Sequence, residues 1–286
     1  MSSVETPELV AAAEAIALAK HLLITAGAGM GADSGLPTFR GKEGFWNLYP
    51  PYRHLGLDFM ELATPEVFVR DPELVWGFYG HRLRQYRETE PHAGFEILKR
   101  WAAGREVKDS AFVLTSNVDG QFQKAGFDSE RVVEIHGSIF LAQCARLCSR
   151  RIWSVADIEV EVDAATMRAV PPVPSCPRCG GVARPNIIMF GDGESLTSER
   201  LKQGRRFWDW EQSVRGSALV VVELGAGVTI PSVRNKGQQL VRDLGAKLVR
   251  INPTDTEAPE GAVVLRCGAL DGLRRLDAAL SSLESG

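Results

Sequence analysis

Short apolar, β-branched runs alternate along this chain with stretches whose apolar residues return every three or four positions. The runs are Leu22–Thr25, Ala111–Thr115, Val132–Ile135, Ala218–Leu224, Lys247–Ile251 and Val263–Arg266. Each has strand length, and each reads as a strand buried on both faces. Between several of them lie helical patterns such as Ala93–Trp101 and Ser232–Asp243, and "LDAALSSLESG" predicts a closing helix. This alternation predicts an α/β protein with a Rossmann-like parallel sheet wrapped by helices. Two regions break the pattern. Residues 42–90 are rich in aromatics, Pro and Arg, with a helical patch at Pro72–Tyr86; residues 141–189 hold close cysteine pairs and "VPPVPSCPRCGG". Both read as insertions that together make a smaller lobe, a helical module plus a zinc ribbon. The sheet domain is then residues 1–41, 91–140 and 190–286, and a ligand is expected in the cleft between the lobes.

Composition adds bounds rather than detail. The 286 residues, 44% hydrophobic and 24% charged, suit a globular chain with a sizeable core. A net charge of −3 gives no general pull toward nucleic acid or an anionic membrane. No apolar run approaches the ~20 residues that span a bilayer. Glu5 and Glu8 stand where a signal peptide would carry basic residues, so the N-terminal stretch reads as an amphipathic helix of a cytoplasmic protein. Neither nucleic acid nor membrane is therefore expected as a partner.

Four of the five cysteines form two close pairs, Cys144-x3-Cys148 and Cys176-x2-Cys179. Four thiolates at such spacing suit tetrahedral zinc, and a site filled by sulfur leaves no position open for water, so the expected role is structural. Cys267 stands apart near a strand end, where a cysteine reads as a small hydrophobe.

The remaining candidates sit where apolar runs end. After Leu22–Thr25 comes Gly27-Ala28-Gly29-Met30-Gly31-Ala32, a G-x-G-x-x-A turn of the kind that cradles a dinucleotide pyrophosphate. The chain then continues through Pro37-Thr38-Phe39-Arg40, which no simple helix accommodates, and the pattern of a redox dinucleotide fold stops there. A second run ends in Thr115-Ser116-Asn117-Val118-Asp119. Asn117 and Asp119 can hold sugar hydroxyls or a carboxamide, or they can cap a helix. A third run ends in Ile135-His136-Gly137, which places an imidazole on the ligand side of the sheet as a general base. Gly225-Ala226-Gly227 and Asn252 end two further runs.

In order and spacing, this set resembles the sirtuins, the Sir2 family of NAD-dependent protein deacylases, in its bacterial type. Residues 27–40 resemble the family's GAGxSxxSGIPDFR signature, residues 115–119 its TQNID motif, His136-Gly137 its HG pair, the cysteines its zinc ribbon, and "MFGD" at 189–192 its FGE motif. The resemblance implies NAD as co-substrate, structural Zn2+ and acyl-lysine proteins as substrates. The acyl oxygen would attack the nicotinamide ribose, and the products would be nicotinamide, free lysine and O-acyl-ADP-ribose. It implies His136 and Asn117 as catalytic residues. It also implies an NAD site made of Gly27, Ala28, Gly29, Ala32, Phe39, Arg40, Ser116, Asn117, Asp119, Gly225, Gly227, Asn252 and Cys267. Phe39 would shield the ribose carbon and Asp119 would meet the carboxamide. The substrate would lie by Phe190, and Tyr79-x-x-Arg82 matches the pattern of members that remove succinyl or malonyl groups. The chain departs from the motifs at Gly31, Thr38, Ser116 and the Gly225 turn, which keeps ADP-ribosyl transfer, or simple NAD cleavage, as the alternative to deacylation.

Overall fold

The computed structural model describes residues 6–38, 41–104 and 109–285. Eleven strands occur among the described residues: β1 (His21–Ala26), β2 (Ala111–Thr115), β3 (Val132–Glu134), β4 (Gly137–Cys144), β5 (Ile152–Ser154), β6 (Val162–Asp163), β7 (Arg168–Ala169), β8 (Ala183–Ile187), β9 (Leu219–Leu224), β10 (Lys247–Ile251) and β11 (Val263–Leu265). Six of them, in the order β3-β2-β1-β9-β10-β11, form one sheet in which every pairing is parallel. All six predicted runs are in it.

Strand periodicity explains how this sheet is buried on both faces. Leu22 and Ile24 of β1, with Val220 and Val222 of β9, point into a cluster with Leu9, Ile16, Leu273 and Leu276. These last residues belong to the helices Pro7–Leu18 and Ala269–Ser285. Leu23 and Val221 point the other way, against Phe207, Trp210, Val233 and Leu240. The helices behind that face are Ser198–Ser213 and Ser232–Leu244. The first helix starts where its sequence directs: the Thr6 side chain accepts from the Leu9 N–H, and Pro7 takes the first helical position. None of the helices among the described residues is long and apolar enough to cross a membrane.

The strand order is that of doubly wound dinucleotide-binding sheets, whose order reverses between β1 and β9. Ligands bind in the crevice that opens beyond the carboxyl ends of such a strand pair.

A second apolar cluster joins helical segments between Gly41 and Glu88 to the chain between β4 and Phe190. It is aromatic: Phe45 stacks on Tyr52 with ring centroids 5.9 Å apart, and Phe78 meets Tyr49 and Phe45 edge to face at 5.2 and 5.8 Å. The hairpin β6-β7 lies on the helix Pro72–Glu88 at Gly77, where a Cβ would stand 2.0 Å from the Met167 carbonyl oxygen. Strands β5, β4 and β8 form a separate antiparallel sheet.

Candidate active site

Two glycine turns meet at the reversal point of the sheet. The Gly27 N–H donates to Leu224 O and the Gly29 N–H to Gly225 O, both at 3.0 Å. The contact is backbone to backbone. A Cβ on Gly27 would stand 2.7 Å from Ala226 Cα, and one on Gly225, whose φ is +57°, would stand 2.4 Å from Gly29 Cα. The N–H groups of Ala28, Ala226 and Gly227 have no partner among the described residues. Backbone donors gathered this way make an anion-binding concavity, which fits a pyrophosphate.

Side chains brace both turns from behind. Asn117 donates from Nδ2 to Gly27 O at 3.1 Å. His92 accepts the Gly94 N–H at Nδ1, so its Nε2–H donates to Met30 O at 2.8 Å; its backbone N–H donates to Ser34 Oγ. Asp33 accepts the Leu270 N–H at 2.8 Å at the start of the last helix. Asn252, fully buried, donates to Ala226 O at 2.9 Å and accepts the N–H groups of Thr254 and Asp255. It serves the second turn by holding its backbone. The buried pair Glu223–Arg250 lies one residue before the ends of β9 and β10, and Arg250 and Arg234 reach the carbonyls of Glu257 and Asp255. Ala32 closes the short helix Gly29–Ala32. Cys267 is half-buried beside Gly272, and burial pushes its thiol up to about 11, so it packs as a neutral group. Phe39 and Arg40 lie outside the described residues.

His136 follows β3 at the same edge. Its Nδ1 lies 3.1 Å from Ser116 O. A carbonyl only accepts, so Nδ1 carries the proton and Nε2 presents a lone pair. Burial holds the imidazole below its ordinary value, which keeps it neutral at physiological pH. Gly137, at φ +86°, turns the chain sharply into β4; a Cβ there would stand 2.1 Å from Asn186 O. The Ser116 hydroxyl turns back to Ala26 O at 3.4 Å, so this position contributes its carbonyl to His136 rather than a reaching side chain. Asp119 is buried, accepts the Gln121 N–H at 3.0 Å, and is pushed up to about 6 by desolvation, against the pull of Arg82.

Tyr79 and Arg82 stand one turn apart on the helix Pro72–Glu88, both buried. The Arg82 guanidinium lies over Phe78 at 5.1 Å and Phe59 at 5.9 Å, and Phe59 meets Phe190 edge to face at 5.6 Å. Tyr79 Oη is buried without a partner among the described residues. Phe190 is tied to the helical segment by its N–H to Ala63 O at 3.0 Å, and the following turn by the buried bidentate pair Arg184–Asp192 at 2.8 and 3.0 Å.

The four predicted cysteines converge. Their sulfurs lie within 4.8 Å of one another, with Cys144–Cys179 at 3.7 Å and Cys148–Cys176 at 3.6 Å. A tetrahedral zinc with Zn–S near 2.3 Å asks for sulfurs about 3.8 Å apart. The set is therefore consistent with structural zinc, and the sulfurs are far beyond disulfide length.

Glu134 belongs to the site and carries no chemistry in the sequence reading. It ends β3 with its carboxyl facing Gln123, Gln203 and Ser138, and burial pushes it up to about 8. Its signal is a lone acid closing an apolar run, "VVEIHGS". His92 and Asp33, the anchors of the first turn, likewise carry no motif signal in the sequence.

Comparison with known proteins gives one consistent result. The family model described as the Sir2 family matches residues 27–213. The chain is 32% identical over 271 residues to an NAD-dependent protein deacylase of Aeropyrum pernix, covering 94% of this chain and 96% of that one. It is 36% identical over 243 residues to NAD-dependent protein deacylase 2 of Pyrobaculum aerophilum, covering 84% and 82%. Among solved structures, a mutant Sir2 homologue in complex with ADP-ribose aligns with a TM-score of 0.69 at 27% identity over 98% of each chain. Another, in complex with 2′-O-acetyl ADP-ribose, aligns with a TM-score of 0.70 at 26% identity over 99% of each.

Proposed function

We propose, from the premise that this chain belongs to the Sir2 family, that it is an NAD-dependent protein-lysine deacylase. The observation that carries the reading is His136. It is a neutral imidazole with its Nδ1 proton fixed on Ser116 O and its Nε2 lone pair available, and the Ser116 N–H in turn donates to Ala26 O at the entry of the first glycine turn. The relatives named NAD-dependent protein deacylase and the Sir2 homologues holding ADP-ribose and its acetylated form support the same reading.

The N–H groups of Ala28, Ala226 and Gly227 would hold the pyrophosphate, at two turns that Gly27, Gly29 and Gly225 bring together backbone to backbone. NAD, when bound, supplies a ribose carbon from which nicotinamide leaves. Asn117 fixes the first turn through Gly27 O and orders the ribose side, and Asp119 would accept from the carboxamide. His136 Nε2 would take a proton from a ribose hydroxyl; burial lowers the imidazole's pKa, so it stays neutral and able to accept at physiological pH and is protonated only at lower pH. Tyr79, Arg82 and Phe190 would line the acyl-lysine side. The unpartnered Tyr79 Oη supports this, since a buried phenol without a partner costs about 1–3 kcal/mol and a ligand relieves it. A cytoplasmic location fits thiols kept reduced for zinc.

Incubation with NAD and acetyl-, succinyl- and malonyl-lysine peptides, followed by mass analysis, tests the proposal. O-acyl-ADP-ribose is the expected product, and His136→Ala should lower kcat by roughly 10²–10⁴-fold. Label reaching protein from NAD without any acyl-dependent nicotinamide release would replace deacylation by ADP-ribosyl transfer.

A further inference from the structure

This inference rests on the reading of Tyr79 and Arg82 as acyl-pocket residues. Tyr86 lies one turn beyond Arg82 on the same face of the helix Pro72–Glu88, and it too is buried. Arg82 donates to Tyr86 Oη from Nε at 2.9 Å and also from Nη2. The Tyr86 ring lies 5.0 Å from the guanidinium carbon. Burial keeps the phenol neutral, so its oxygen is a fixed, uncharged acceptor.

A guanidinium meets a carboxylate best along one edge, with two parallel N–H donors to its two oxygens. Tyr86 takes the Nε/Nη2 edge whole. A carboxylate at the end of an acyl chain could use that edge only by displacing the phenol, and the rings of Phe78, Phe59 and Tyr86 pack around the guanidinium. An acetyl group has no carboxylate and needs no such displacement. We propose that Tyr86 masks the carboxylate-binding edge of Arg82 and so sets the acyl pocket toward uncharged acyl groups, leaving a latent site for acidic ones.

Tyr86→Phe keeps the ring and removes only the acceptor. The ratio of kcat/KM for a succinyl-lysine peptide over its acetyl counterpart should rise roughly ten-fold, the scale of one charge-assisted pair. Adding Arg82→Met to Tyr86→Phe should erase the gain. An unchanged or lower ratio in Tyr86→Phe overturns the mask. If succinyl turnover depends on Arg82 but is indifferent to Tyr86, the mask alone falls. If all variants process the acetyl peptide and none the succinyl peptide, the acyl-pocket reading falls and takes the mask with it. Calorimetric binding of the succinyl peptide in the presence of ADP-ribose gives the same comparison without turnover: tighter binding by Tyr86→Phe supports the mask, and equal or weaker binding overturns it.

Discussion

At the carboxyl edge of the sheet, Gly27, Gly29 and Gly225 press two turns together backbone to backbone, and side chains such as Asn117, Asn252 and Asp33 only brace them. In the smaller lobe the positions are held by side chains: Arg82 sits among aromatic rings, Arg184 pairs with Asp192, and four cysteine sulfurs gather within 4.8 Å of one another. The first region is prepared by what its residues lack, the second by what they carry. A site that must approach phosphate closely needs bare backbone. A site that must tell one acyl chain from another needs side chains whose directions are locked.

The difference can be broken first at the metal. Cys176→Ser, or removal of zinc by a chelator, withdraws a term of about 10 kcal/mol or more from the smaller lobe, because binding of structural zinc is folding free energy. Proteolysis should then concentrate between β4 and Phe190, while calorimetric binding of ADP-ribose to the sheet edge stays within a few-fold. Equal loss of both would mean that the two regions are one cooperative unit. The next effect is at the turns. Gly225→Ala forces a Cβ into Gly29 at a positive φ, at a cost of roughly 2–4 kcal/mol. ADP-ribose affinity should fall ten-fold or more with zinc content unaltered.

The smallest effect is a dependence on pH. Glu134 has a folded value near 8, above its unfolded value of about 4.3. Its folded state therefore holds a proton more tightly than the unfolded chain, and the stability it contributes at low pH is lost as pH rises toward 8. Asp119, facing it, is pushed up to about 6 and His136 is held below its ordinary value, so of these three groups it is Glu134 whose contribution falls between pH 6.5 and 8. The thiols of the cysteine cluster act in the same window, so the measurement is a comparison of two chains. In denaturant titrations the wild-type chain should lose about 2 kcal/mol relative to Glu134→Gln across that window, at roughly 1.4 kcal/mol per pH unit. A difference between the two chains that stays constant with pH would remove Glu134 from the account.

Local chemistry was legible in the chain, and long-range company was not. The six sheet strands announce themselves because parallel strands buried on both faces must be continuously apolar. The cysteines do so because ligand spacing is a local property. The helix Ser198–Ser213 gave no such signal, since only Phe207, Trp210 and Glu211 are buried along it. The roles of Asn252 and Ser116 escaped for another reason. Both end strands as ligand contacts do, but their partners, Ala226, His136 and Ala26, come from segments remote in sequence. Glu134 was hidden by its position inside an apolar run. The departure at Gly31 has a local counterpart: a Cβ there would stand 3.1 Å from the Leu36 side chain, so a serine would need Leu36 to move.

The meeting of Gly29 with Gly225 also sets an order of events. Translation delivers the first turn early and the second only after both lobes have been made, and a chain emerging from the ribosome folds what it already has. Until β9 slides in beside β1, the first turn faces no partner and the N–H groups of Ala226 and Gly227 do not yet exist to join that of Ala28. The nascent chain thus has no grip on the dinucleotide while it is being built. Nucleotide capture becomes a late event of biogenesis, and a prematurely terminated polypeptide ending before β9 would be inert toward NAD however well its zinc ribbon had folded.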